Sequence, residues 1–183
     1  WYRGETLITG IGQGFMTTSP LQLALATAAI ANKGQLLMPQ VMMHSQSKNG
    51  DLFEEQNLKS NQIPIKDINN WELIIEAMKQ TVYGKFGTAK RLNNKLKYSL
   101  AGKTGTAQVF GLDPEEEYIA ENIEEKLRDH ALFTGFAPIE DPQVAIAIIV
   151  ENAGSGSSKA APLARELLDE YFIKNPVELN TLN

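Results

Sequence analysis

The segment Ala101-Gly102-Lys103-Thr104-Gly105-Thr106-Ala107-Gln108-Val109 concentrates side chains able to do chemistry. It reads as a strand that stops being apolar halfway and then presents a cation, two hydroxyls and a glycine. Lys103 supplies a positive field for a carboxylate, while Thr104 and Thr106 supply hydroxyl donors of fixed reach. Gly105 lets another backbone approach closely. At the edge of a sheet, such a strand can pair with an extended peptide through its main chain and hold the peptide's carboxyl end. A bare Lys-Thr-Gly triplet occurs by chance in many chains, usually as a surface strand with a solvated lysine, so its surroundings decide. Gly102-Lys103-Thr104 also matches the end of the phosphate-binding loop G-x-x-x-x-G-K-[ST]. That pattern requires glycine at position 97, where Lys97 stands, and the segment runs on as strand rather than into a helix N-terminus. A nucleotide cradle is excluded.

Other chemistries are narrowed by composition. The 183 residues hold no cysteine, which excludes a disulfide framework, a Cys-ligated zinc and a thiol nucleophile. His44 and His130 lie far apart without metal-ligand spacing and are expected to be structural or exposed, so no metal site and no cofactor are expected. Seventeen Lys and Arg against 22 Asp and Glu leave a net charge of −5, which argues against a nucleic-acid binder. Hydrophobic content of 43% and charged content of 21% suit a globular chain with a real core. No uninterrupted apolar run approaches the roughly 20 residues that span a bilayer. The opening Trp1-Tyr2-Arg3-Gly4 has neither an initiator Met nor an apolar signal core, so a piece of a longer chain is expected.

Several elements must position the segment. Gly10-Ile11-Gly12-Gln13-Gly14 forms a glycine-dense turn, and Ser19-Pro20 starts a helix over about 20–31, apolar on more than one face and so buried. Two strand-like runs, Gln35–Met43 and Asp51–Glu54, flank Asn49-Gly50, a hairpin signal. A polar linker over 56–66 leads to a second helix over about 70–82, where Trp71, Ile74, Ile75, Met78 and Val82 keep helical spacing. Residues 84–92 read as a loop or short turn. Strands are expected over 99–110, 131–137 and 144–150, the last apolar enough for burial on both sides. The acidic segment 113–129 reads as a solvated loop with a short helix, and Gly154-Ser155-Gly156-Ser157-Ser158 as a flexible turn. A last helix over about 161–173 should pack Leu163, Leu167, Leu168, Tyr171 and Phe172 on the sheet. Trp1, Trp71 and the methionines at 38, 42, 43 and 78 are expected to fill core. The order implies an α+β fold, an antiparallel sheet flanked by helices.

Lys103-Thr104-Gly105-Thr106-Ala107-Gln108 resembles the third signature of the penicillin-interacting serine acyltransferases. Upstream, Gly12-Gln13-Gly14 and Thr18-Ser19-Pro20-Leu21-Gln22-Leu23-Ala24 are similar to that family's glycine turn and buried helix, and Gly34, Met38 and Pro39 continue the likeness. Downstream, Phe136-Ala137-Pro138, the strand 144–150 and Glu151-Asn152-Ala153-Gly154 fit as well. Trp1-Tyr2-Arg3-Gly4, Gln108-Val109-Phe110-Gly111-Leu112 and Lys126-Leu127-Arg128-Asp129-His130 resemble its elongation-specific class B transpeptidases. Nearly the whole chain is covered, in order.

That resemblance implies peptidoglycan D,D-transpeptidation, in which a serine attacks a D-alanyl-D-alanine bond and an amine from a second stem peptide resolves the acyl-enzyme. It implies that Lys103 lends positive potential to the cleft floor, that Thr104 and Thr106 hold the substrate carboxylate, and that Gly105 keeps the strand surface clear. The Thr106 backbone N–H would be one of two oxyanion-hole donors, each typically worth about 10²–10³ in rate. Stem peptides, β-lactam antibiotics and a membrane glycosyltransferase of the elongation machinery are the implied partners, on the periplasmic face of a bacterial inner membrane. The family's Ser-x-x-Lys and Ser-x-Asn should precede the signature. Ser45-Gln46-Ser47-Lys48 and Ser47-Lys48-Asn49 match in letters, yet they overlap in a polar hairpin tip with no apolar helix to position a nucleophile. The chain is therefore expected to be the C-terminal portion of one transpeptidase domain, inactive alone and paired with a missing N-terminal half. A β-lactam-sensing or substrate-binding module without turnover, and a serine β-lactamase, are the alternatives.

Overall fold

A computed structural model of the chain describes residues 2–14, 16–42, 44–46, 52–54, 60–109 and 123–176. Helix α1 (Arg3–Gly10), which periodicity does not announce, starts where Glu5 accepts the Tyr2 N–H at 2.8 Å and buries none of its side chains. Helix α2 (Pro20–Ala31) begins as expected. Ser19 Oγ accepts from the Gln22 N–H at 3.3 Å, and Gln22 Oε1 accepts from the Ser19 N–H at 2.9 Å. This reciprocal cap satisfies two of the helix's free donors.

The expected strand 35–43 is shorter than its apolar run. Strand β1 (Gln35–Leu37) stops before Met38-Pro39, since proline cannot donate to a ladder. Strands β2 (His44–Gln46) and β3 (Leu52–Glu54) pair antiparallel, Gln46 facing Leu52, so the strand joined to 52–54 around Asn49-Gly50 begins at His44 and is not the expected run 35–43; residues 47–51 lie outside the described residues. The supposed linker supplies β4 (Ser60–Gln62), antiparallel to β1. Met38 and Met42 are half exposed instead of filling core, while Trp1 and Met43 lie outside the described residues.

Helix α3 (Asn69–Tyr83) buries Trp71, Ile75, Met78 and Val82, a three-four spacing along one stripe. After a 3₁₀ turn at Lys90–Asn93 comes the central sheet: β5 (Ala101–Ala107), β6 (His130–Ala137) and β7 (Val144–Val150), antiparallel in the order β5-β6-β7. Its register runs from Ala101 opposite Phe136 to Ala107 opposite His130. Gly102 therefore faces Gly135. A side chain at 102 would run into the Phe133 ring, and one at 135 would lie 2.7 Å from the Ala101 carbonyl oxygen.

Helix α4 (Ala160–Lys174) covers one face, where Ala131 and Phe133 meet Ala160, Ala161, Ala164 and Leu168. On the other face, Ala101 and Phe136 pack against Ala31, Ile75 and Met78 of α2 and α3. Helix, sheet and helices thus form the layers of an α+β fold. Burying each large side chain such as Phe133, Phe136, Leu100 or Leu168 contributes about 1.5–3 kcal/mol.

Two expectations about burial need correction. Strand β7 is half-buried along its length rather than enclosed, because no strand pairs with its second edge among the described residues. Leu163 and Leu167 are 43% and 57% exposed and border an open groove with Pro20, Ile148 and Ile149. The buried stripe of α4 holds Ala160, Ala161, Ala164 and Leu168, which leaves Leu163 and Leu167 turned outward. Among the described residues, no helix is long and apolar enough to cross a membrane.

Candidate active site

The Lys-Thr-Gly segment lies within β5, paired with β6 on one side and with no strand on the other among the described residues. Successive side chains alternate between the faces of a strand. Lys103 and Gly105, opposite Thr134 and Leu132, therefore share the α2–α3 face, and Thr104 and Thr106, opposite Phe133 and Ala131, share the α4 face. All four border the free edge. Lys103 and Thr106 are exposed and Thr104 is half-buried. Lys103 Nζ donates to the Thr104 carbonyl at 2.7 Å, so the cation sits beside the backbone of the next residue instead of extending into solvent. By the two-residue period, residues 104 and 106 direct their backbone groups to the same side. On the Lys103 face, a Cβ at 105 would press on Leu132 Cβ at 3.2 Å, with no other atom within 4 Å, so Gly105 leaves that face clear.

Two residues outside the Lys-Thr-Gly segment hold β5 in place. The Thr88 and Thr104 hydroxyl oxygens are 2.7 Å apart. Thr88 belongs to the loop that leaves α3, which reads in sequence only as a turn. The loop is fixed by its neighbours: Ala89, itself buried, donates to the Thr81 carbonyl at 3.0 Å, and a side chain on Gly87 would overlap that same oxygen. The second is Gly156. A Cβ there would overlap the carbonyl oxygens of Leu132 and Gly105 and lie 3.1 Å from the Gly105 nitrogen. The glycine-serine turn is thus pressed against the back of β5 rather than loose. Its glycines are a visible signal, but their contact with the strand is not.

The far end of β5 is tied down separately. Buried Asp129 accepts the Val109 N–H at 3.4 Å through Oδ1 and the Gly154 N–H at 2.8 Å through its carbonyl. His130 Nδ1 accepts the Asn152 N–H at 2.9 Å, and Asn152 Nδ2 donates to the carbonyls of Lys126 and Arg128. His130 thereby joins β6 to the turn after β7. Among the described residues, no group of three or more His, Asp or Glu could hold a metal ion. His44 has no described side chain, and Lys48 and Asn49 of the decoy motifs fall outside the described residues.

A family model of the penicillin binding protein transpeptidase domain matches residues 1–169. The peptidoglycan D,D-transpeptidase MrdA of Haemophilus influenzae is 39% identical over 172 residues, covering 94% of this chain and 26% of its own length. MrdA of Escherichia coli K12 is 39% identical over 175 residues, 94% of this chain and 27% of that protein. Among solved structures, Pseudomonas aeruginosa PBP2 in complex with WCK 5153 superposes with a TM-score of 0.75 at 37% identity, over all of this chain and 36% of that one. The complex between PBP2 and MreC from Helicobacter pylori gives 0.72 at 31% identity, over 94% of this chain and 28% of that one. The chain thus spans little more than a quarter of the curated relatives' length. An edge strand bearing Lys103-Thr104-Gly105-Thr106 and a family match over nearly every residue lead to one conclusion: the chain belongs to the penicillin-binding protein transpeptidase family.

Proposed function

We propose that these residues form the Lys-Thr-Gly side of a peptidoglycan D,D-transpeptidase site serving cell-wall elongation. The observation that carries this is the edge of β5 that no strand pairs among the described residues, bordered by Lys103 and two threonine hydroxyls. An extended stem peptide adds to such an edge as a further strand. Thr104 and Thr106 hold its terminal carboxylate within the field of Lys103, and Gly105 leaves room for the peptide's own backbone. A serine hydroxyl from a Ser-x-x-Lys segment outside these residues attacks the D-alanyl-D-alanine carbonyl. The Thr106 N–H stabilises the oxyanion, D-alanine leaves, and an amine of a second stem takes over the acyl group. β-Lactams, which mimic the dipeptide, trap the acyl-enzyme.

The segment bearing the nucleophile is proposed to dock as the N-terminal half of the same domain, covering the second edge of β7 and the exposed apolar side chains nearby. Stem peptides lie outside the cytoplasmic membrane, so the site works on its periplasmic face, with a membrane glycosyltransferase supplying the glycan strands. Incubation with a fluorescent penicillin and a denaturing gel test the proposal. The full-length protein is expected to carry covalent label and the isolated 183-residue chain none. Label on the short chain would place a nucleophile inside it, and an unlabelled full-length protein would overturn the assignment.

A further inference from the structure

A threonine hydroxyl holds one proton and two lone pairs, whereas a carboxylate holds no proton and can only accept. If Thr104 gives its single proton to a ligand carboxylate, the 2.7 Å contact with Thr88 can persist in one direction only, with Thr88 donating and Thr104 accepting. The hydroxyl of Thr104 then lies between a donor behind it and an anion in front. Such a chain polarises the middle group and strengthens its outer bond, by something on the order of 10–30% per bond. Lys103 Nζ, on the carbonyl of the same residue, adds positive charge at that point. What makes Thr88 a dependable donor is the rigidity of its loop. Gly87 fits under the Thr81 carbonyl where no side chain could, and Ala89 is buried and bonded to the same oxygen.

We propose that Thr88 is a positioning residue for the ligand's carboxylate, fixing the direction in which Thr104 presents its proton. This rests on the transpeptidase proposal and deepens it, because Thr88 touches Thr104 and not the reacting atoms. Its effect should follow the charge of the ligand. The test measures acylation rates of the full-length protein by a penicillin and by the methyl ester of that penicillin, which lacks the anion, and takes their ratio. Thr88→Val, which keeps shape and loses the donor, is expected to lower the penicillin-to-ester ratio about tenfold. Thr88→Ser, which restores a hydroxyl, should bring it back to within about twofold of wild type. A ratio unchanged in Thr88→Val overturns the inference, whether both rates fall together or neither does. So does a serine variant that behaves like valine. If wild-type protein reacts with neither compound, the transpeptidase assignment itself fails and this inference with it. A wild type that reacts while its ratio ignores Thr88 sinks the inference alone.

Discussion

Gly156 sets the distance between the turn before α4 and the back of β5. Backbone carbonyls of Leu132 and Gly105 occupy the space a methyl group would need, and neither can rotate away as a side chain could. Gly156→Ala is therefore expected to destabilise the fold by about 1–3 kcal/mol, read as a lower urea midpoint with unchanged slope. An unchanged midpoint would show that the turn has slack. Gly105→Ala adds its methyl to the opposite face, where it meets only Leu132 Cβ at 3.2 Å, so its main effect should fall on ligand pairing. The contrast also marks how far single residues are legible in sequence. Lys103, Thr104, Gly105 and Thr106 stand out because their types change abruptly along one strand and alternation assigns their faces. Thr88 and Gly156 do not, because their importance lies in contacts with residues 16 and 51 positions away that exist only after α3 and α4 have packed.

Helix α4 is locked to the rest of the chain through its polar side. The Tyr98 hydroxyl donates to Asp169 Oδ1 at 2.8 Å, and Arg165 Nε donates to Asp169 Oδ2 at 3.3 Å. Arg165 Nη1 reaches on to the carbonyls of Leu92 and Asn94 at 2.8 and 2.6 Å, tying α4 to the turn ahead of β5. The Tyr98 ring also packs against Phe172 with ring centroids 4.5 Å apart. Burial, together with the hydrogen bond to the carboxylate of Asp169, holds the Tyr98 phenol well above its ordinary pKa. The folded protein thus keeps a proton that the unfolded chain releases above pH about 10, and stability falls as pH rises beyond that point. Chemical denaturation at pH about 9 and about 11 should show a smaller alkaline loss in Tyr98→Phe than in wild type, although the variant starts less stable. Equal losses would remove Tyr98 as the cause. The boundaries of α2, α3 and β7 were readable, since caps, stripes and an unbroken apolar run mark them locally. The helix face of α4 that meets the sheet was readable only in part: Leu168 and Phe172 pack as their spacing suggests, whereas alanines fill the places that periodicity gives to Leu163 and Leu167.

Seen whole, the described surface exposes a number of large apolar side chains. Leu7 of α1, Ile11 just after it, Val41 after β1 and Phe86 ahead of Thr88 are each more than 70% exposed, and β7 is nowhere fully buried. Exposed apolar side chains of this size mark contact sites or cause association where they lie together. The 183-residue chain by itself is expected to bind a hydrophobic dye and to self-associate on size-exclusion chromatography. The full-length protein should do neither to the same degree. A short chain that is monomeric and binds no dye would mean that these side chains need no partner. The mistaken expectation for β7 has the same origin: seven consecutive apolar residues report what the strand requires, not which neighbours are present to supply it.

The facing glycines in β5 and β6 carry a consequence for the direction of the charge. Sliding β5 by one residue would turn Lys103 to the opposite side of the sheet and bring a bulkier side chain to the place where Gly102 now clears the Phe133 ring. Phe133 is fully enclosed and cannot move aside, so that slippage is blocked sterically. Gly102 and Gly135, which bear no functional group, act as an indexing notch that keeps the ammonium on its own side of the molecule.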